Sequence, residues 1–323
     1  MGGANLGGVT SLESFPVPAM SFYRDLEEDN SREWWLANKA RYERDVRDPF
    51  RAVAALLADE FGEAKLFRPN RDVRFSAEFE EEDAAAYLLP HLDSDTVLLE
   101  VGAGPGTITA DFAGIVAGVT ATEIDESTLE LTRATIAERW VGNVEFAVED
   151  VLALSFPDDS FDVAHAHQVL QHVSDPVQAL RELARVTRPG GLVAVRDSDY
   201  HGFVWWPRLP ELDEWMDLYQ SCARANGGEP DAGRRLLGWA RAAGLTDVVA
   251  TSSTWCYASD EDRAWWGGMW ADRVLDSAMA RQAVDSGLAT REDLARMSAA
   301  WRRWAEAEDG WLSILHGEIL ARV

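Results

Sequence analysis

A short apolar run that ends in an acid and breaks into alternating glycines restricts this chain to few folds. It reads Leu98-Leu99-Glu100-Val101-Gly102-Ala103-Gly104-Pro105-Gly106-Thr107. Thr96 to Val101 predicts a buried strand, and the glycines let the backbone turn sharply and pass close to a ligand, where a Cβ would clash. A second acid, Glu123, stands 21 positions beyond Gly102, after the apolar stretch Val119 to Thr122. That spacing suits an acid on the second strand of a nucleotide-binding α/β unit, reaching a ribose.

The next hundred residues continue the alternation. Val144 to Val148 predicts a third strand, followed by Glu149-Asp150-Val151, and Ser160 to Ala166 enters a fourth. Asp175-Pro176 supplies an N-cap and a proline at the first helical position, and Val177, Leu180, Leu183, Ala184 and Val186 give that helix one apolar face. Arg188-Pro189-Gly190-Gly191 stops it before a fifth strand, Leu192 to Val195. Strands alternating with helices in this way predict a doubly wound α/β fold: a mostly parallel, seven-stranded, Rossmann-like sheet covered by helices on both faces.

On these residues the chain resembles the class I S-adenosylmethionine-dependent methyltransferases, of the small-molecule type similar to the ubiquinone/menaquinone methyltransferases. The resemblance covers about residues 84–323 and is specific over 98–195. It rests on Glu100 to Gly106, Glu123, Asp150-Val151, Phe156-Pro157-Asp158-Asp159-Ser160-Phe161-Asp162, Val169-Leu170-Gln171-His172 and Arg188 to Gly191. The glycine loop lacks the G-x-G-x-x-G spacing of nicotinamide dehydrogenases. A pyrophosphate would also sit badly against Glu100, whereas the cationic aminoacyl end of S-adenosylmethionine suits it. The resemblance implies that Gly102, Ala103, Gly104 and Gly106 pass beneath the cofactor and that Glu100 faces its ammonium. It further implies Glu123 on the ribose hydroxyls, Ile124 against the adenine, Asp150 on the exocyclic amine, and the Val151 N–H on a ring nitrogen. Ala166 and His167 would line the methyl-donor end. No metal is called for.

Composition narrows the partners. With 323 residues, 47% of them hydrophobic, the chain has room for about two domains and a packed core. A formal net charge of −26 argues against nucleic acid or an anionic membrane as partner. Cys222 and Cys256 show no motif spacing, which fits a reducing compartment. No basic-then-apolar leader and no bilayer-length apolar run are present, so a cytoplasmic protein is expected.

Residues 1–77 predict a helical extension preceding the methyltransferase-like domain at 78–323. Three helices are expected: Met20 to Glu28, Ser31 to Val46 and Pro49 to Phe61. This stretch resembles the opening of a bacterial family of uncharacterised proteins, through Asn30 to Trp35, Asn38-Lys39, Tyr42-Glu43, Val46 to Pro49 and Arg68 to Ser76. The resemblance ends at Ser76, where Glu78, Glu80, Glu81, Glu82 and Asp83 begin. A fragment of a domain exposes part of its core, so it is expected to pack on the rest of the chain or to form a homo-oligomer contact.

The carboxyl-terminal third supplies the acceptor side. Eleven of the fourteen tryptophans follow residue 200. Two helical lid segments are expected, at about 201–226 and 260–308. Trp265, Trp266, Met269, Trp270 and Val274 share one helical face, and Leu294, Met297, Trp301 and Trp304 another. Such stripes serve as core, or as an aromatic lid over a flat acceptor.

Methyl transfer by in-line displacement requires positioning, and needs a base only where the acceptor must lose a proton. The candidates are His167, Asp199, Tyr200 and His201, with His316 beyond them. His172 resembles a structural position. Three readings compete: a methyltransferase for a small, hydrophobic or aromatic acceptor, a catalytically silent S-adenosylmethionine-binding scaffold, and a nicotinamide-dependent oxidoreductase.

Overall fold

The computed structural model describes residues 21–25, 32–47, 49, 85–139 and 141–323. The chain divides into two compact units, Met1–Ala77 and Glu78–Val323. In the first unit, helix α1 (Arg32–Tyr42) runs into a single π-helical turn, Glu43–Arg47. Phe22 is buried against the rings of Trp34 and Tyr42, at 5.4 and 5.6 Å. The expected helix beyond Pro49 and the Arg68 to Ser76 stretch lie outside the described residues.

The second unit is built on one sheet. Its strands are β1 (Val97–Val101), β2 (Gly118–Glu123), β3 (Val144–Val148), β4 (Phe161–His167), β5 (Thr187–Ser198), β6 (Val204–Trp206), β7 (Asp247–Tyr257) and β8 (Trp311–Arg322). The order runs β3-β2-β1-β4-β5-β8, with β7 on the far edge of β8. Pairings among β1 to β5 are parallel, and β8 runs antiparallel between β5 and β7. Eight strands are described where the sequence predicts seven. The extra one, β6, is a three-residue stretch that pairs with the start of β8. It was illegible because its two tryptophans and a valine read equally as part of the aromatic segment around them. The last strand, β8, is twelve residues long and runs to Arg322.

Alternation along the central strands divides the core. Leu99, Val101, Ala164, Ala166, Val193 and Val195 face one side. Leu98, Val163, Leu192 and Ala194 face the other, where Ile108 and Phe112 of helix α2 (Thr107–Ala113) cover them. Helix α3 (Glu126–Glu138) follows β2, capped by the Asp125 carboxylate accepting from the Thr128 N–H at 2.9 Å. Helix α4 (Pro176–Val186) starts at the expected cap, Asp175 accepting from the Gln178 N–H at 2.9 Å, and buries Leu180 and Leu183 on the first side.

Five further helices complete the unit: α5 (Pro210–Ala225), α6 (Leu236–Ala243), α7 (Asp260–Arg273), α8 (Ala278–Asp285) and α9 (Arg291–Ala305), the last just before β8. Capping boxes at Ser259 and Thr290 start α7 and α9, each tying an N-cap hydroxyl and the Asp three residues on to the opposing backbone N–H. The stretch leading into α6 begins with a 3₁₀ turn, Gly233–Arg235. There the Gly233 backbone lies too near that of Gly317 to admit a Cβ.

Helices α5, α7, α8 and α9 share a separate core of stacked and edge-on rings. Trp215 meets Trp270 and Trp301 edge-on, at 4.7 and 4.9 Å between centroids. The α9 stripe is wholly interior: Leu294, Met297, Trp301 and Trp304 are all buried. The α7 stripe is graded, with Trp270 buried, Trp266 and Met269 partly buried, and Trp265 49% exposed. A buried tryptophan truncated to alanine leaves a large cavity, so Trp301→Ala should lose about 3–5 kcal/mol of unfolding free energy. Trp265→Ala should lose under about 1 kcal/mol, both read by urea denaturation.

Candidate active site

The turn out of β1 is left-handed at three glycines: Gly102, Gly104 and Gly106 have φ of +66°, +55° and +84°. At Gly102 a Cβ would stand 2.5 Å from Cγ2 of Val169, in the loop after β4, so only glycine lets the two loops approach. At Gly104 nothing lies within 4 Å of the Cβ position, and the backbone there borders open space. The loop is tied down from outside. The Ala103 N–H donates to the Thr122 carbonyl at 3.0 Å, and the Thr132 hydroxyl donates to the Gly104 carbonyl at 2.7 Å.

Glu123 ends β2 beside this loop, and its Oε1 accepts from the Gly104 N–H at 2.6 Å. The next residue, Ile124, is 63% exposed, an apolar side chain left uncovered at a strand end. Asp150 follows β3, exposed, its Oδ1 accepting from the Leu152 N–H at 2.9 Å, while Val151 is buried. Glycine loop, ribose-type acid, exposed apolar residue and second acid therefore border the open side of β1, β2 and β3. This set fits S-adenosylmethionine: an uncrowded backbone for its chain, a carboxylate for two hydroxyls and an apolar surface for its base. Glu100 lies beneath the loop, 2% exposed. Its Oε2 accepts from the Thr109 hydroxyl at 2.6 Å, and its Oε1 is 3.6 Å from Nδ1 of His165.

A second group gathers at the ends of β4, β5, β7 and β8. Register pairs His167 with Arg196, Arg196 with Glu318, and Glu318 with Thr251. Arg196 is fully buried, with Nε 3.3 Å from Oε1 of Glu318 and 3.2 Å from the Ser253 hydroxyl. Ser253 and Thr251 both donate to Glu318, at 2.5 and 2.8 Å. His316 stands near His167 and Trp255, with ring centroids 6.3 and 4.4 Å away. Burial, then the Arg196 charge, pushes His316 down to about 2 and His167 well below the usual histidine range. Both imidazoles are therefore neutral at working pH and are poor proton acceptors.

Sequence reasoning missed Arg196, Glu318, Ser253 and Thr251. The available signal was polarity at alternate positions of strands central to the sheet, Arg196 and Ser198 on β5 against His316 and Glu318 on β8.

The residues after β5 are engaged locally. The buried Asp199 carboxylate accepts from Nε and Nη2 of Arg234, at 2.6 and 2.5 Å, and from the Gly202 and Arg234 N–H groups. Tyr200 stacks on Tyr219 at 4.1 Å and on Phe203 at 4.5 Å, and burial raises its hydroxyl well above the ordinary value. His201 places Nδ1 2.6 Å from Oδ2 of Asp231. Burial opposes ionisation of Asp231, yet hydrogen bonds from Gln220 and His201 hold it down at about 2. Ala166, at the end of β4, is buried. Among the described residues, the structure brings Glu123 to Gly104 and Asp199 to Arg234. It pairs His201 with Asp231, not with His167.

Two family models match this chain. One, a methyltransferase domain, matches residues 99–195, and the other, described as a conserved hypothetical protein, matches residues 18–80. An uncharacterised methyltransferase from Schizosaccharomyces pombe is 36% identical over 252 residues, covering 74% of this chain and 88% of that one. A ubiquinone/menaquinone biosynthesis C-methyltransferase from Hahella chejuensis is 37% identical over 130 residues, 39% of this chain and 50% of that one. The YcgJ protein of Bacillus subtilis shares the fold, with a TM-score of 0.50 and 19% identity over 75% of this chain and 98% of that one.

The fold and the glycine loop define a class I nucleotide-type α/β protein. The chain belongs to the S-adenosylmethionine-dependent methyltransferases, and S-adenosylmethionine is its cofactor. Neither a nicotinamide oxidoreductase nor a silent scaffold is favoured by these relatives. Among the described residues, no helix is long and apolar enough to cross a membrane.

One buried acid has a measurable consequence. Asp197 is fully buried, its Oδ1 accepts from the Gln171 N–H at 3.0 Å, and burial raises it to about 7. The unfolded chain releases that proton near the ordinary aspartate value, so the folded state holds it over a higher range. The resulting stability is present in acid and lost as pH rises through about 7. Asp197→Asn should therefore gain on the parent protein by on the order of 1–3 kcal/mol between pH 5 and pH 8. A stability difference independent of pH, read by urea denaturation, would contradict this.

Proposed function

We propose that the protein transfers a methyl group to a small acceptor of aromatic or hydrophobic character, by in-line displacement and without a protein general base. The observation that carries this reading is the aromatic wall beyond the ends of β4 and β5. Tyr200, Phe203 and Tyr219 form one stack, and Tyr219 meets Trp270 edge-on at 5.7 Å. A flat acceptor is held by such a wall through apolar area, at roughly 25 cal/mol per Å² removed from water. The ubiquinone/menaquinone pathway of one relative's name supports an aromatic acceptor as well.

Bound S-adenosylmethionine supplies an electrophilic methyl group on a sulfonium. Gly102, Ala103, Gly104 and Gly106 provide backbone that passes beneath it, and Glu100 provides the buried negative charge below its ammonium. Glu123 exchanges the Gly104 N–H for the ribose hydroxyls, Ile124 lies along the adenine, the Val151 N–H donates to a ring nitrogen, and Asp150 accepts from the amine. Ala166 and His167 border the transferring end. The neutral His167 is a weak base and leaves the acceptor to ionise on its own. Asp199, Tyr200 and His201 shape the acceptor side, with Asp199 holding Arg234 and Tyr200 forming part of the wall. Helices α5, α7, α8 and α9 act as a lid that excludes water from the transfer. The amino-terminal unit contributes a contact between copies of the chain.

Two charge-assisted hydrogen bonds to Glu123 are together worth roughly 2–4 kcal/mol. Glu123→Ala should therefore weaken S-adenosylmethionine binding more than tenfold in calorimetry while circular dichroism stays unchanged. Unaltered affinity in the folded variant would remove Glu123 from the ribose site. Transfer of a labelled methyl group to aromatic, apolar aliphatic and polar aliphatic acceptors in parallel tests the acceptor class, and exclusive turnover of the polar aliphatic ones would overturn it.

A further inference from the structure

Arg273 ends α7 with its guanidinium carbon 4.8 Å over the ring of Trp270 and Nη1 3.7 Å from the Met269 sulfur. It is exposed and has no carboxylate partner among the described residues, although acids outnumber bases 56 to 30 in this chain. The acids flanking it are taken by other arginines: Asp272 pairs with Arg302 at 2.6 Å and Asp276 with Arg281 at 3.4 Å. Its charge is felt on three separate elements, at His172 after β4, at Tyr200 after β5 and at Tyr219 on α5. Geometry agrees: Trp270, beneath the guanidinium, meets Tyr219 of α5 edge-on at 5.7 Å, and Tyr219 stacks on Tyr200 at 4.1 Å, so Arg273 stands beside the aromatic stack.

The tautomer of His172 follows from its neighbours. The Ser198 hydroxyl donates to Oε1 of Gln171 at 2.6 Å, which makes Nε2 of Gln171 the amide nitrogen. That nitrogen lies 3.1 Å from Nε2 of His172, which must then accept, so His172 carries its hydrogen on Nδ1. The indole N–H groups of Trp266 and Trp270 are buried with no acceptor. The guanidinium thus sits over Trp270, with Trp266 6.3 Å further on, and the carboxylates flanking it are already paired with other arginines. Desolvated donors without acceptors are costly, and an incoming anion relieves that cost.

Resting on the methyltransferase reading above, we propose that the acceptor carries a carboxylate and that Arg273 holds it beside the aromatic stack. A planar guanidinium matches a carboxylate with two parallel hydrogen bonds. A carboxylate so neutralised is a weak nucleophile, so it serves as an anchor and the methylated atom lies elsewhere on the acceptor. The net charge of −26 repels anions at long range, and a local unpaired arginine is what makes such a ligand admissible.

The test uses the full chain saturated with S-adenosylhomocysteine, titrated with benzoate, benzamide or benzylamine and read by tryptophan fluorescence. Benzoate should bind at least tenfold more tightly than either neutral or cationic analogue. Arg273→Gln should abolish that preference, Arg273→Lys should retain part of it, and Arg281→Gln should leave it unchanged. Equal binding of the three probes, preference for benzylamine, no binding by any, or benzoate binding undiminished in Arg273→Gln would each overturn the proposal. Calorimetric affinity for S-adenosylhomocysteine is measured on the same samples. Its loss in the parent protein would count against the methyltransferase reading instead.

Discussion

The close approach of two loops above the sheet is the constraint on which the rest of the site depends. Gly102 leaves β1 in a left-handed conformation within van der Waals reach of Val169, which follows β4. A Cβ there would force the loops apart and displace the Gly104 N–H from Glu123, because Gly102 and Gly104 lie on one short turn. The order β2-β1-β4 brings these elements together, since β1 lies between its two parallel neighbours. The crevice follows from a sheet whose connections leave its carboxyl edge at this point.

Electrostatics divide that edge in two. Over β1 to β3 the residues are acceptors, Glu123 and Asp150, suited to hydroxyls and an amine. Over β4, β5 and β8 a buried guanidinium is balanced by Glu318, and the adjacent imidazoles stay neutral. Breaking such a pair from one side leaves an uncompensated buried charge. The pair therefore fixes the polarity of the acceptor side more than it adds stability. A methyl donor with a positive sulfur needs no cation beside it, and the Arg196–Glu318 balance removes one.

Much of this was legible in the chain. The β1 loop, Glu123, the Asp175-Pro176 helix start and the α9 stripe could be read because each is local: a turn, a cap or a period. The pairings that matter most on the acceptor side could not. Arg196 and Glu318 meet only because β8 is inserted antiparallel beside β5, and no local pattern announces that register. Asp199 read as an available carboxylate, yet the 3₁₀ turn at Gly233–Arg235 brings Arg234 onto it. The α7 stripe read as one face, whereas its burial is graded because only Trp270 reaches the rings of Trp215 and Trp301.

A crystal structure of the chain with S-adenosylhomocysteine tests the central claim most directly. The account predicts both ribose hydroxyls within hydrogen-bond distance of Glu123, the adenine over Ile124, and the sulfur beside Ala166 and His167. A ligand bound elsewhere, or a Glu123 still turned to Gly104 with the ribose out of reach, would contradict it.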